Sequence, residues 1–190
     1  MDLVETQSDI NKGIDVDVLR QTTKAVEADR NLGKFTFEVQ GTWAGGVSLE
    51  SGTGAITQAG VRDESRVNKF SMKSDEPPAL LGDDTDVSPS EYVLQALAAC
   101  YTASLAMKAA DAGITLRAFN VQVEGDFDVA SFLEIVPEEH PGASQIRINV
   151  DIDAPEASRE QLAELVAVVE RRSPIRDTLA RPVDVVTTLL

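Results

Sequence analysis

The chain has 190 residues, 43% of them hydrophobic and 26% charged, enough to bury one core without covalent staples. Its formal net charge is −15, and the 17 basic residues are scattered rather than clustered, so phosphate backbones are repelled and nucleic-acid binding is disfavoured. One cysteine excludes an internal disulfide, and with one histidine it cannot build a usual zinc site, so no metal and no cofactor is expected.

The stretch "MDLVETQSDINKG" lacks the basic start and apolar core of a secretory signal, and a reducing, cytoplasmic setting is expected. The longest uncharged run, Tyr92 to Met107, has 16 residues, short of the roughly 18 that mark a membrane span, so no membrane insertion is expected. No Gly-rich phosphate loop and no Gly-x-Ser-x-Gly elbow occurs.

Residues 14–31 repeat apolar side chains at Ile14, Val18 or Leu19, Thr22 and Val26, which predicts a helix ending near Gly33. Residues 1–33 thus read as an N-terminal helical arm ahead of a domain over 34–190. "KFTFEVQ" alternates with a period of two and predicts a strand; "TWAGGVSLES" turns at Gly45-Gly46 and pairs back as a hairpin. Phe35, Phe37 and Trp43 read as core and hairpin packing rather than a cofactor box. A third strand is expected within "RVNKFSMK". "SDEPPALLGDDTDVSPSE" is a proline- and acid-rich loop, its Asp75-Glu76 read as solvated acids or as a pair that orients a basic group.

Ser88-Pro89-Ser90-Glu91 forms a capping box with proline at the first helical position, so a long helix starts here and ends at Gly113. "TLRAFNVQVEGDFDV" and "SQIRINVDID" alternate as strands. "APEASREQLAELVAVVERR" is amphipathic, with Leu162, Leu165, Val166 and Val169 inward; Ser173-Pro174 caps a short helix, and "VDVVTTLL" predicts a final strand. His140 sits in a turn beside Pro141-Gly142 and receives no role. Helices between runs of antiparallel strands give an α+β fold.

Cys100 lies in the long helix on a face with Val93, Ala96, Leu97, Ala103, Ser104 and Met107, and the opposite face is hardly more polar. A helix apolar all round is expected to be buried all round, as a central spine against a sheet and against another helix or a second subunit. The thiol is then either a small packing residue or a reactive group. It lies about three turns from the helix start, beyond the reach of the macrodipole, so activation needs a cation from elsewhere, with Arg62, Arg66, Arg171, Arg172 and Arg176 as candidates.

"SDEPPALLG", then "SPSEYVLQALAACYTASLAMKAADAGITLRAFNVQVEGDFD", then "RRSPIRDTL" occur in this order, and over about residues 34–190 the chain resembles the OsmC/Ohr family of osmotically inducible and organic hydroperoxide resistance proteins. The resemblance implies an intertwined α+β homodimer, with antiparallel sheets around two central cysteine-bearing helices and the thiols at the subunit interface. It implies thiol-dependent reduction of organic hydroperoxides, Cys100 attacking the O–O bond to become a sulfenic acid. The position of the family's second cysteine holds Ser173, which cannot form a disulfide and also reads as a helix N-cap. An external thiol, or Cys100 of another subunit, must then resolve the sulfenic acid.

Arg66 and Lys73 lie near the place where some members carry the activating arginine, and Arg66 is the expected partner of the thiol. Glu91 lies one place from the family's glutamate and, nine residues before Cys100, on the opposite helical face, which gives it to the capping box. The expected site is therefore Cys100, Arg66 and Ser173 for the chemistry, with Val93, Leu97, Met107 and Glu91 around the ligand. The alternative expectation is a non-catalytic dimer holding a fatty-acyl or other apolar ligand in the pocket lined by Val93, Leu97, Cys100 and Met107. A structural dimer with a vestigial site is the third.

Overall fold

The computed structural model describes residues 10, 11 and 13–189. The elements are β1 (Ile10–Asn11), β2 (Ile14–Asp15), α1 (Val16–Ala28), β3 (Phe35–Gly45), β4 (Ser48–Gln58), β5 (Val61–Asp63), β6 (Ser71–Ser74), α2 (Pro89–Asp111), β7 (Ala118–Asp126), α3 (Val129–Phe132), β8 (Gln145–Asp153), α4 (Arg159–Arg172) and α5 (Pro174–Ala180). Antiparallel sheets and helices alternate along the chain as the sequence predicts. The chain divides into two compact units, Asp17–Val93 and Leu94 onward, the second also taking the described residues up to Val16. Most of the expected arm lies at 13–33, where α1 is shorter than the predicted helix and buries no side chain; residues 1–9 and 12 lie outside the described residues.

In the Asp17–Val93 unit, β3 and β4, each of 11 residues, form a hairpin in which Phe37 pairs with Ile56, Gln40 with Gly52 and Trp43 with Leu49. Gly45 and Gly46 take positive φ at the turn, a conformation that a side chain would strain. Bulges interrupt the register between Phe37 and Val39 and between Trp43 and Gly45. The sheet runs β3-β4-β5, with β6 also pairing to β4, so the expected third strand is only the last part of "RVNKFSMK". Phe35 and Phe37 stack with ring centroids 5.9 Å apart, and Trp43 Nε1 donates to the Gly46 carbonyl at 3.0 Å. They serve the hairpin but enter no core, since Phe37 is 71% exposed and Trp43 72%.

The proline-rich loop is ordered around one carboxylate. Asp75 is buried and accepts from Ser48 Oγ (3.1 Å), the Asp83 amide (3.0 Å), the Thr85 amide (3.2 Å) and Thr85 Oγ1 (3.0 Å). The sequence reading of this acid as solvated is thereby corrected: a charge this well supplied with donors is more stable inside the loop than an unpaired one is. The Thr85 amide, with further backbone and hydroxyl donors, holds its carboxyl down at about 2. Gly82 closes the loop at a distance no side chain permits, because a Cβ there would lie 1.7 Å from the Glu76 carbonyl oxygen. The loop delivers the chain to α2 through a Ser74–Val87 bridge, and Tyr92 Oη donates to the Lys73 carbonyl at 2.6 Å. The capping box then closes: Ser88 donates its amide (2.9 Å) and hydroxyl (2.8 Å) to Glu91 Oε2, and the Glu91 amide donates to Ser88 Oγ (3.3 Å).

In the unit from Leu94, the core is built on α2. Leu97, Tyr101, Leu105 and Ala109, spaced by four, pack with Leu116, Leu165 and Val169 against the inward row of the β7–β8 sheet, where Val121 pairs with Val150 and Val123 with Ile148. By length and composition α2 also meets the criterion for a membrane crossing, with a mean hydropathy of 1.2 over 18 residues and 28% of that window buried. The uncharged run used in the sequence reading stops at Met107, whereas the helix continues to Asp111. Only one side of α2 is buried; Gln95, Ala96, Ala99, Thr102 and Ala103 on the other are exposed, contrary to the expected all-round burial, because within one chain the sheet covers a single face.

Between β7 and β8 an 18-residue connection, 127–144, carries the unexpected helix α3, capped by Asp128, which accepts from the Ala130 amide at 2.8 Å. The helix α4 begins with the Ser158–Gln161 capping box. The predicted final strand is absent: residues 182–189 form no regular element, and residue 190 lies outside the described residues.

Two outcomes test this description. Asp75 has a folded-state carboxyl held at about 2 against an ordinary 3.8, so its contribution to stability is complete above pH 3.8 and is lost as pH falls toward 2. Asp75→Asn is expected to lower Tm at pH 7 and to flatten the loss of stability between pH 4 and 2, checked by thermal unfolding across that range. Gly82→Ala is expected to destabilise the protein by distorting the loop backbone, read as a lower urea midpoint.

Candidate functional site

The one thiol sits where α2 meets the junction of α4 and α5. Ser173 ends α4, with its amide donating to the Val169 carbonyl at 2.8 Å, and also starts α5, with its Oγ accepting from the Arg176 amide at 3.3 Å. Pro174 occupies the first position of α5, where no amide hydrogen is needed. The Ser173 hydroxyl donates its proton to Cys100 Sγ at 3.2 Å. Ser173 is 0% exposed, whereas Cys100 is half-buried and remains a free thiol. A fully sheltered hydroxyl with its acceptor side engaged by a backbone amide is thus directed at the sulfur of a half-buried cysteine.

Two concave surfaces flank this strip of the helix. A cavity of about 470 Å³ lies among α2, β8, α4 and α5, walled by Leu97, Ile146, Ile148 and Val166, with Tyr101, Glu170 and Arg176 as polar groups. A groove of about 530 Å³ lies on α2 and β7, lined by Gln95, Ala99, Thr102, Ala103, Phe119 and Val121. Cys100 lines neither; at 100° per residue it falls between Leu97 on the cavity and Ala103 on the groove. Glu170 pairs with Arg176 at 3.4 Å. Burial pushes the Tyr101 phenol up and the Glu170 carboxylate adds to this, with Arg176 opposing.

The expected site residues are distributed as follows. Cys100 and Ser173 are brought into contact. Leu97 is buried and lines the cavity, while Val93 and Met107 are exposed and line neither concave surface. Arg66 belongs to the Asp17–Val93 unit, where its guanidinium lies 5.0 Å from the centre of the Phe70 ring. Glu91 serves the capping box, whose Ser88 amide and hydroxyl hold its carboxyl below the ordinary range. Among the other candidate cations, Arg62 pairs with Glu38 and Glu64, Lys73 with Glu50 at 2.7 Å, and Arg171 with Glu164 at 3.0 Å. Among the described residues, no group of three or more His, Cys, Asp or Glu side chains comes together to hold a metal ion. Tyr101 and Glu170 were not singled out from the sequence; their signal is spacing, Tyr101 following Cys100 and Glu170 lying three residues before Ser173.

A family model described as OsmC-like protein matches residues 82–188, which contain α2, Cys100 and Ser173. The chain belongs to the OsmC-like family. Solved structures share the fold. An OsmC-like protein from Mycoplasma pneumoniae superposes with a TM-score of 0.59 at 19% identity, over 76% of this chain and 87% of that one. A Legionella pneumophila protein described as an organic hydroperoxide resistance protein OsmC gives 0.51 at 15% identity, over 76% and 88%. An organic hydroperoxide resistance protein from Elizabethkingia anophelis gives 0.53 at 13%, over 75% and 86%. No curated protein sequence matches the chain. Within this OsmC-like chain, the Ser173–Cys100 contact provides the physical test of the site. Ser173→Cys is expected to place a second sulfur close enough to bond after a small adjustment, so that mild oxidation removes both thiols from a thiol titration while the wild type retains its one.

Proposed function

We propose that this OsmC-like chain is a homodimeric, one-cysteine reductase of organic hydroperoxides, with Cys100 as nucleophile and an external dithiol as reductant. The observation that carries the reading is the half-buried Cys100 sulfur with the sheltered Ser173 hydroxyl 3.2 Å away. The thiolate of Cys100 attacks the terminal peroxide oxygen: an S–O bond forms, the O–O bond breaks, and the alkoxide leaves and takes a proton to become the alcohol. One thiol of the dithiol condenses with the sulfenic acid, releasing water and forming a mixed disulfide; its second thiol then expels Cys100 as thiolate. Ser173 donates to the sulfur and orients it, and its lack of a thiol is why the group that resolves the sulfenic acid must come from outside the chain. Arg66 remains the proposed cation partner, and Glu91 supports the reading only through the helix start. The cytoplasm, where thiols are kept reduced, is the proposed setting.

The dimer is supported by surface that one chain leaves uncovered. In one unit Phe37, Val39 and Trp43 on β3 are exposed, and in the other the outer side of α2 exposes Ala96, Ala99 and Ala103; exposed apolar faces of this kind are where partner subunits pack. A second reading, a module that holds a fatty-acyl or other apolar ligand without chemistry, is favoured by one observation, the apolar walls of the 470 Å³ cavity around Leu97. Val93 and Met107 would contribute to it only across an assembled interface.

Peroxide consumption with cumene hydroperoxide and a dithiol separates the two. Cys100→Ser is expected to abolish turnover, and Ser173→Ala to lower it about tenfold, the equivalent of one hydrogen bond to the sulfur. Turnover in the wild type no faster than in Cys100→Ser, together with unchanged binding of a fluorescent fatty acid in that variant, would select the second reading.

A further inference from the structure

We propose that the cavity among α2, β8, α4 and α5 binds a neutral hydrocarbon ending in a hydroxyl, a medium-chain primary alcohol, with its tail on the apolar walls and its hydroxyl bonded to Tyr101 Oη. The inference rests on the second reading above, in which this cavity holds an apolar ligand, and adds which head group the cavity selects. It asks nothing of the thiol, since Cys100 does not line this cavity. All of the lining residues belong to the unit from Leu94.

The three helices build the walls in the same way. On α2, Tyr101 follows Leu97 by four residues; on α4, Glu170 follows Val166 by four; on α5, Arg176 precedes Leu179 by three. Each spacing puts one apolar and one polar side chain on a single helical face, here the face turned to the cavity. Ile146 and Ile148 of β8 complete the lining with hydrocarbon. The polar members gather, since Glu170 and Arg176 pair at 3.4 Å and both charges act on the Tyr101 phenol. The volume of about 470 Å³ equals that of roughly 15 water molecules at about 30 Å³ each, room for a chain of about eight carbons and its head group.

Tyr101 decides the head group. The residue is 3% exposed, yet its hydroxyl bonds to no group among the described residues. Among those residues no sealed side-chain oxygen or nitrogen lacks a partner, so the Tyr101 oxygen is not sealed and opens on the cavity that its side chain lines. A buried phenol ordinarily has a hydrogen-bond partner, and here the cavity is where one can be supplied. Burial pushes the phenol up, so at neutral pH it stays protonated and offers a donor. A carboxylate head would compete with Glu170 for Arg176 and would enter a chain of net charge −15. An ammonium head would meet the Arg176 guanidinium. A hydroxyl accepts from Tyr101, can donate to Glu170, and leaves the ion pair intact.

The experiment titrates the full-length Cys100→Ser chain, in which no thiol can oxidise, with 1-octanol, octanoate and octylamine. The δ1-methyl NMR signals of Ile146 and Ile148 report affinity and place together. Octanol is expected to shift both methyls and to bind about fivefold tighter than either charged probe. Adding Tyr101→Phe is expected to lower octanol affinity about fivefold, the size of one hydrogen bond, and to leave Tm no lower, because the hydroxyl has no partner in the fold. Adding Glu170→Gln instead is expected to raise octanoate affinity about fivefold by removing the like charge. Equal affinities for the three probes, or octanol binding untouched by Tyr101→Phe, would overturn the head-group selection while leaving the second reading intact. Tightest binding of octanoate would overturn it in favour of an anion on Arg176. A Tm lowered by Tyr101→Phe would assign the hydroxyl a partner within the protein and overturn its role. No methyl shift with any probe would overturn both the proposal and the second reading.

Discussion

The site depends on how one helix is held. Leu97, Tyr101, Leu105 and Ala109 fix the rotation of α2 on the β7–β8 sheet and α4, and with that rotation the position of every other side chain on the helix is set. Cys100 is not part of the packed row. It is placed beside Ser173 because Leu97 and Tyr101 on either side of it are locked, and because Val169, one turn before Ser173, is buried in the same core. The meeting of thiol and hydroxyl is therefore a product of hydrocarbon packing, with the hydrogen bond completing a geometry that the core imposes.

The two ends of α2 are secured by different means. At its C-terminal end the helix is held by apolar contact; at its N-terminal end it is held by polar groups. The Ser88–Glu91 capping box, Tyr92 bonded to Lys73, and the loop gathered around Asp75 all act before the first apolar turn. The acids of this loop, which in sequence suggest a solvated linker or an orienting pair, instead organise a helix entrance. Asp75 stabilises backbone amides that three prolines and two positive-φ residues, Leu81 and Asp84, would otherwise leave without partners.

Much of this was legible in the sequence because it is local. The capping box at Ser88, the hairpin turn at Gly45-Gly46 and the period-two rows of β7 and β8 are each set by neighbours within a few residues, and the structure contains them. The buried state of Asp75 was not legible, since its donors come from Ser48, Asp83 and Thr85, gathered by the fold. Nor was the exposure of Phe37, Trp43 and the outer side of α2: apolar patterning states that a residue needs cover, and does not state whether its own chain supplies it. The motif order placed Cys100 and Ser173 at matching family positions, while their separation of 73 residues left contact between them to the tertiary structure.

Ser173 belongs to two helices at once, and this gives the thiol an unusual mechanical setting. The residue that terminates α4 and initiates α5 cannot rotate its hydroxyl away from the sulfur without surrendering the Arg176 amide. A substituent growing on the sulfur, an oxygen atom or half of a mixed disulfide, would have to fit against the residue at which the two helices join.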